Sequence, residues 1–105
     1  MGYNFTVGIQ KGTEYEPIGD FLTGYRHGLA GVVFRALNAT ELDGGASGTG
    51  ESRLYQRPEI ETALQELRPH AGPRCDIDLF RDCVACLERA LAALPPDGQV
   101  VIRFW

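Results

Sequence analysis

Lysine is nearly missing from this chain of 105 residues: Lys11 is the only one, so arginine carries almost all the positive charge. Acidic side chains outnumber basic ones by 14 to 10, a formal net charge of -4. Nonspecific DNA or RNA binding draws on clustered lysine and arginine, and this balance excludes it. Arginine instead suits fixed, directional pairing with carboxylates. No run approaches 18 consecutive apolar residues, so no membrane-spanning helix is expected. The opening MGYNFTVGIQKG lacks a basic region leading into an apolar stretch, so no targeting signal is expected. Thr6 fits the last position of a myristoylation pattern, but nothing else supports one. The cysteines are Cys75, Cys83 and Cys86. An odd count without a signal peptide predicts free thiols in a reducing cytoplasm.

A catalytic motif is also missing. GASGTGES, residues 45–52, is one residue away from the phosphate-binding pattern G-x-x-x-x-G-K-[ST], with Glu51 at the lysine position. A working loop follows a buried strand and opens a helix, so that backbone N–H groups point at phosphate. Here the flanks are polar NATELDG and SRLYQRP, and Glu51 would repel phosphate. The stretch therefore reads as part of a flexible Gly/Ser-rich loop over residues 40–53.

What is present fits one domain spanning residues 1–105, with 44% hydrophobic and 23% charged residues. YNFTVGI, residues 3–9, alternates Tyr3, Phe5, Val7 and Ile9 against Asn4, Thr6 and Gly8, the pattern of a half-buried strand. Residues 10–19 read as a polar turn with two glycines and a proline. Asp20 then caps an expected first helix with Phe21, Leu22, Tyr25, Leu29, Val32, Val33, Ala36 and Leu37 on its apolar arc. Gly24, Gly28 and Gly31 would line an adjacent arc of that helix. Pro58 opens a second helix, whose buried stripe is Ile60, Leu64 and Leu67 and whose end is Arg68-Pro69. A third runs from about Asp78 to Leu94, with Phe80, Cys83, Val84, Leu87, Leu91 and Leu94 on one side. After the turn Pro95-Pro96-Asp97-Gly98, QVVIRFW reads as a closing strand. A short extra strand is expected at Leu54-Tyr55 or around Ile77. The predicted class is α+β: a small antiparallel or mixed sheet built from the terminal strands and covered by about three helices.

Carboxylates crowd the expected helix starts. Glu14, Glu16 and Asp20 precede the first, Glu59 and Glu61 open the second, and Asp76, Asp78 and Asp82 surround the start of the third. Caps and dipole compensation account for part of this. The remainder offers an acidic surface to a basic cleft on a partner. The predicted partner-binding residues are Glu14, Glu16, Asp20, Asp76, Asp78 and Asp82.

Two stretches, VGIQKGTEYEPIGDFL and LYQRPEIETALQELR, give the chain a resemblance to the immunity proteins of bacterial polymorphic toxin systems. The resemblance covers about a third of the chain and implies a non-enzymatic inhibitor. Such a protein binds one cognate toxin domain and blocks its active site, with no catalytic residue, metal or cofactor of its own.

Two other readings compete with it. His70, Cys75, Cys83 and Cys86 together would make a zinc or thiol centre, provided the 70–75 loop folds back on the third helix. The competing reading of Cys83 is core packing, because it shares the apolar stripe with Phe80 and Leu87. Neither His27 nor His70 has a nucleophile or carboxylate at catalytic spacing. Lastly, an accessory homo-oligomer would use the C-terminal VVIRFW, with Trp105 beside Phe104 as its apolar anchor, together with the groove lined by Gly24, Gly28 and Gly31.

Overall fold

The computed structural model describes residues 3–24, 27–45, 47–71 and 78–105; side chains at 22–29 and 70–80 lie outside that description. Its strands are β1 (Tyr3–Lys11), β2 (Glu14–Gly24), β3 (Ser52–Tyr55) and β4 (Gln99–Phe104). Its helices are α1 (His27–Ala36), α2 (Arg57–Leu67) and α3 (Asp78–Ala93). The four strands form one sheet in the order β2-β1-β4-β3, and each neighbouring pair is antiparallel. The two terminal strands pair with each other, Phe5 opposite Phe104 and Val7 opposite Ile102. This is an α+β domain, as its sequence predicts.

Alternation decides which face of the sheet is covered. Tyr3, Phe5, Val7 and Ile9 of β1 and Val100, Ile102 and Phe104 of β4 are at most 3% exposed. They share one core with Ile60, Ala63, Leu64 and Leu67 of α2 and with Cys83, Val84, Cys86, Leu87 and Ala90 of α3. Aromatic rings fill its centre. Phe5 stacks on Phe21 at 4.9 Å between centroids and meets Phe104 edge-on at 5.7 Å. Phe34 stacks on Phe104 at 5.4 Å. Such pairs add about 0.5–1.5 kcal/mol each beyond their burial.

The principal correction lies between residues 10 and 26. The expected turn and the first helical turns are instead a second strand, β2, joined to β1 through Gly12 and Thr13 with Gly12 at φ 59°. Asp20 therefore caps no helix; it pairs with Thr6 inside the sheet, and Phe21 pairs with Phe5. Gly24 belongs to β2 and α1 is described over His27–Ala36, so Gly24 cannot share a helical stripe with Gly28 and Gly31. The proline inside β2 is tolerated because β2 is an edge strand, where a missing N–H need not break a ladder. A register shift opposite Val7 and Gly8 accommodates Ile18.

The other elements follow the sequence closely. α2 carries Pro58 in its first turn, and Glu59 Oε1 accepts from Gln56 N–H at 2.8 Å, one half of a capping box. Arg57 donates to the carbonyls of Leu91 and Leu94 at 3.2 and 3.1 Å, which satisfies groups left open at the end of α3. Asn38, at φ 51°, ends α1 in the left-handed region that asparagine tolerates. The short extra strand is β3, two residues longer than Leu54-Tyr55, and the alternative around Ile77 lies outside the described residues.

The described residues of the 40–53 stretch are bonded into the fold at several points. Tyr3 Oη donates to Asp43 Oδ1 at 2.7 Å, and the same carboxylate accepts from Gly45 N–H. Gly48 and Gly50 donate their N–H groups to the carbonyls of Trp105 and Phe104. Gly48 passes so close to the end of β4 that a side chain there would press on the backbone of Phe104.

Candidate protein-binding surfaces

Edge strand β2 gathers part of the predicted acidic surface. Glu14, Tyr15, Glu16, Pro17 and Asp20 are all exposed on it. Glu14 and Glu16 line a cleft of about 330 Å³ with Ile9, Lys11 and Ala93, where β2 runs past the end of α3. Lys11 is drawn to Asp97 at 3.8 Å rather than to either glutamate. Alternation places Asp20 on the opposite side of β2, beside Thr6. Asp82 is exposed on α3, the helix packed against β2. Asp76 and the side chain of Asp78 lie outside the described residues. The structure thus brings Glu14 and Glu16 into one cleft through a strand, where the sequence pattern assigned them to the approach to a helix.

The second surface is the sheet face turned away from the helices. Register assigns it two rows that cross all four strands: Leu54, Val101, Gly8 and Pro17, then Ser52, Arg103, Thr6 and Asp20. Tyr15 lies across Gly8, so that a methyl group added at Gly8 would strike the Tyr15 ring. Trp105 Nε1 donates to Thr6 Oγ1 at 2.9 Å, and the Arg103 guanidinium sits 4.0 Å from the centre of the indole ring. Arg103 Nε also donates to the carbonyl of Gly50 at 3.0 Å. Among the described residues, the large hydrophobic side chains left exposed are Tyr15 (49%), Leu54 (48%) and Trp105 (43%), and all three belong to this face.

Sequence reasoning singled out Trp105 and the strand that holds Val101 but missed Tyr15 and Leu54 as their companions. The available signal was alternation. Once Tyr3, Phe5, Val7 and Ile9 face the core, the partners of Thr6 and Gly8 must face away from it.

The cysteines fit the core-packing reading. Cys83 and Cys86 are fully buried, and burial pushes both thiols above their ordinary range. Cys86 is turned toward Gly19 of β2. A reactive thiol needs the reverse, a stabilised thiolate within reach of solvent. Cys75 and the side chains of His27 and His70 lie outside the described residues. No group of three or more His, Cys, Asp or Glu side chains able to hold a metal occurs among the described residues. No described helix is long and apolar enough to cross a membrane. No family model, curated protein or solved structure matches this chain.

Proposed function

We propose that this chain is a non-enzymatic protein-binding module, an immunity-type inhibitor that occupies a basic active-site cleft on one cognate toxin domain. One observation carries the reading: Glu14 and Glu16 are exposed on an unpaired edge strand and share a cleft with the end of α3. Paired carboxylates in a recess suit a projecting arginine or lysine of the partner. Their charge speeds and orients association with a basic surface. The unpaired backbone of β2 adds groups that an extended segment can bond. Asp20 faces the other side of β2 and Asp82 lies about three turns along α3 from Ala93, so Glu14 and Glu16 carry the proposed contact. The burial of Cys83 and Cys86 disfavours a thiol enzyme.

The test begins with capture from the native cell under reducing conditions, with mass and metal analysis of the eluate. The captured protein is then purified and titrated against wild type and the Glu14→Lys/Glu16→Lys variant. A one-to-one complex that abolishes the partner's toxicity, weakened at least tenfold by the double reversal, is the expected result (about 1.4 kcal/mol or more). Unchanged affinity would show the surface to be wrong. One zinc per chain and no protein partner would replace inhibition with a metal-centred function.

A further inference from the structure

We infer that the open sheet face is the interface of a homodimer, with two sheets stacked face to face about a two-fold axis parallel to the strands between β1 and β4. This inference uses neither Glu14 nor Glu16, which alternate to the helix side of β2, although Tyr15 between them borders both surfaces.

Charge selects a second copy as the occupant. The chain carries a net charge of -4, which sets acidic surfaces of two copies against each other. The two central rows of the open face instead hold one cation, Arg103, and one anion, Asp20, in the same row and two strands apart. A closed dimer uses one self-complementary patch on both copies. The proposed axis lays each row on itself. Leu54 then faces Pro17 of the second copy, and Val101 faces its Gly8 beneath Tyr15. Arg103 faces Thr6 of the second copy, with Asp20 one strand away, and the symmetry repeats each contact. The axis also keeps the strands of the two sheets aligned, the common way for sheets to pack.

Size permits it. Strands about 4.8 Å apart, with six residues of β1, β2 and β4 and the four of β3 at about 3.3 Å each, give a footprint on the order of 350 Å² per copy. With side-chain relief and both copies counted, roughly 1,000 Å² leaves water, the lower limit for a specific interface. Tyr15 and Trp105 are the residue types that anchor such patches, and each is held in place before contact, by Gly8 and by Thr6.

Light scattering and sedimentation over a concentration series test the dimer, using wild type, Asp20→Arg, Arg103→Asp and Leu54→Glu, each checked for native circular dichroism. Wild type should be a dimer in the micromolar range, and each variant should raise the dissociation constant at least tenfold. The decisive sample is an equimolar mixture of Asp20→Arg and Arg103→Asp. Under the two-fold arrangement every cross-copy pair in that mixture has opposite signs, so two chains that fail to self-associate should form a heterodimer. A wild-type monomer up to about 1 mM overturns the proposal. So does a dimer indifferent to all three substitutions, or a mixture that stays monomeric. The Glu14→Lys/Glu16→Lys variant should dimerise like wild type, so failure here and failure of the inhibitor reading are separable.

Discussion

Phe5 and Thr6 are neighbours in β1, and they turn to opposite faces of the same sheet. Phe5 is fully buried against Phe21, Phe34 and Phe104. Thr6 is half-buried, and its hydroxyl accepts a hydrogen bond from an exposed tryptophan. The contrast holds along β4, where Val100, Ile102 and Phe104 are sealed while Val101 is half-buried and Arg103 is exposed. Both faces carry aromatic rings, but only one set has been removed from water. Burial is what stabilises the fold, at about 25 cal/mol per Å². The rings on the open face touch Gly8, Thr6 and Arg103 and keep much of their area for another contact. Hydrophobic content alone does not separate a core from a docking surface; the layer opposite it does.

The largest test of this contrast is to truncate one large apolar side chain from each face. Phe104→Ala should cost about 3–5 kcal/mol in urea unfolding, and Leu54→Ala on the open face about 0.5 kcal/mol or less. Equal losses would mean that the open face is itself part of the core.

A smaller effect breaks the contrast at one point, where the open face does constrain the fold. Gly8→Val forces Tyr15 off the strand and should cost about 1–3 kcal/mol. Tyr15→Ala in the same chain should recover most of that loss, which a double-mutant cycle reads directly. Simple additivity would show that the ring does not rest on Gly8.

The smallest effect is confined to alkaline pH and to the covered face. Burial raises the thiols of Cys83 and Cys86 above 9.0, and burial then the hydrogen bond to Asp43 pushes the Tyr3 phenol up from 10.0 to about 12. The unfolded chain releases these protons at lower pH than the folded one, so alkali favours unfolding. From neutral pH upward, stability should be level until about pH 9, begin to fall there as unfolded thiols ionise, and fall faster beyond about pH 10. Tyr3→Phe should remove its share of the loss between pH 10 and about 12 while the thiol share persists. An unchanged profile would place Tyr3 in contact with water.

The sequence discloses more of the covered face than of the open one. Ile60, Leu64 and Leu67 announce α2 through helical spacing, and Tyr3, Phe5, Val7 and Ile9 announce β1 through alternation. β2 is obscured for two reasons. Pro17 and Gly19 look like turn punctuation, while an edge strand accepts both. Phe21, Leu22, Tyr25 and Leu29 also fit the helical period, so the strand and the start of α1 merge into a single helix on periodicity alone. Without β2, Glu14, Glu16 and Asp20 appear to lead into a helix, and their division between two sides of a strand stays hidden. Tyr15 and Leu54 are invisible as a pair for a related reason. They belong to strands at opposite edges of the sheet, and only strand order brings them to one face.

The position of β4 bears on how the chain comes to be folded during synthesis. Gln99–Phe104 runs between β1 and β3, and among the described residues β3 has no other neighbour in the sheet. It is also the last described element to leave the ribosome. Until then the β1–β2 hairpin can form, and α2 and α3 can pack side by side, but β3 has nothing to pair with. The carbonyls that hold Gly48 and Gly50 do not yet exist. Contacts between residues nearly a hundred positions apart, such as Phe5 with Phe104, must wait until β4 has been made. Sheet closure is thus a late, all-or-none event with a high loop-closure cost, which favours slow folding. A nascent chain halted before β4 would expose both sides of the gap that β4 fills, a state that chaperones and proteases recognise.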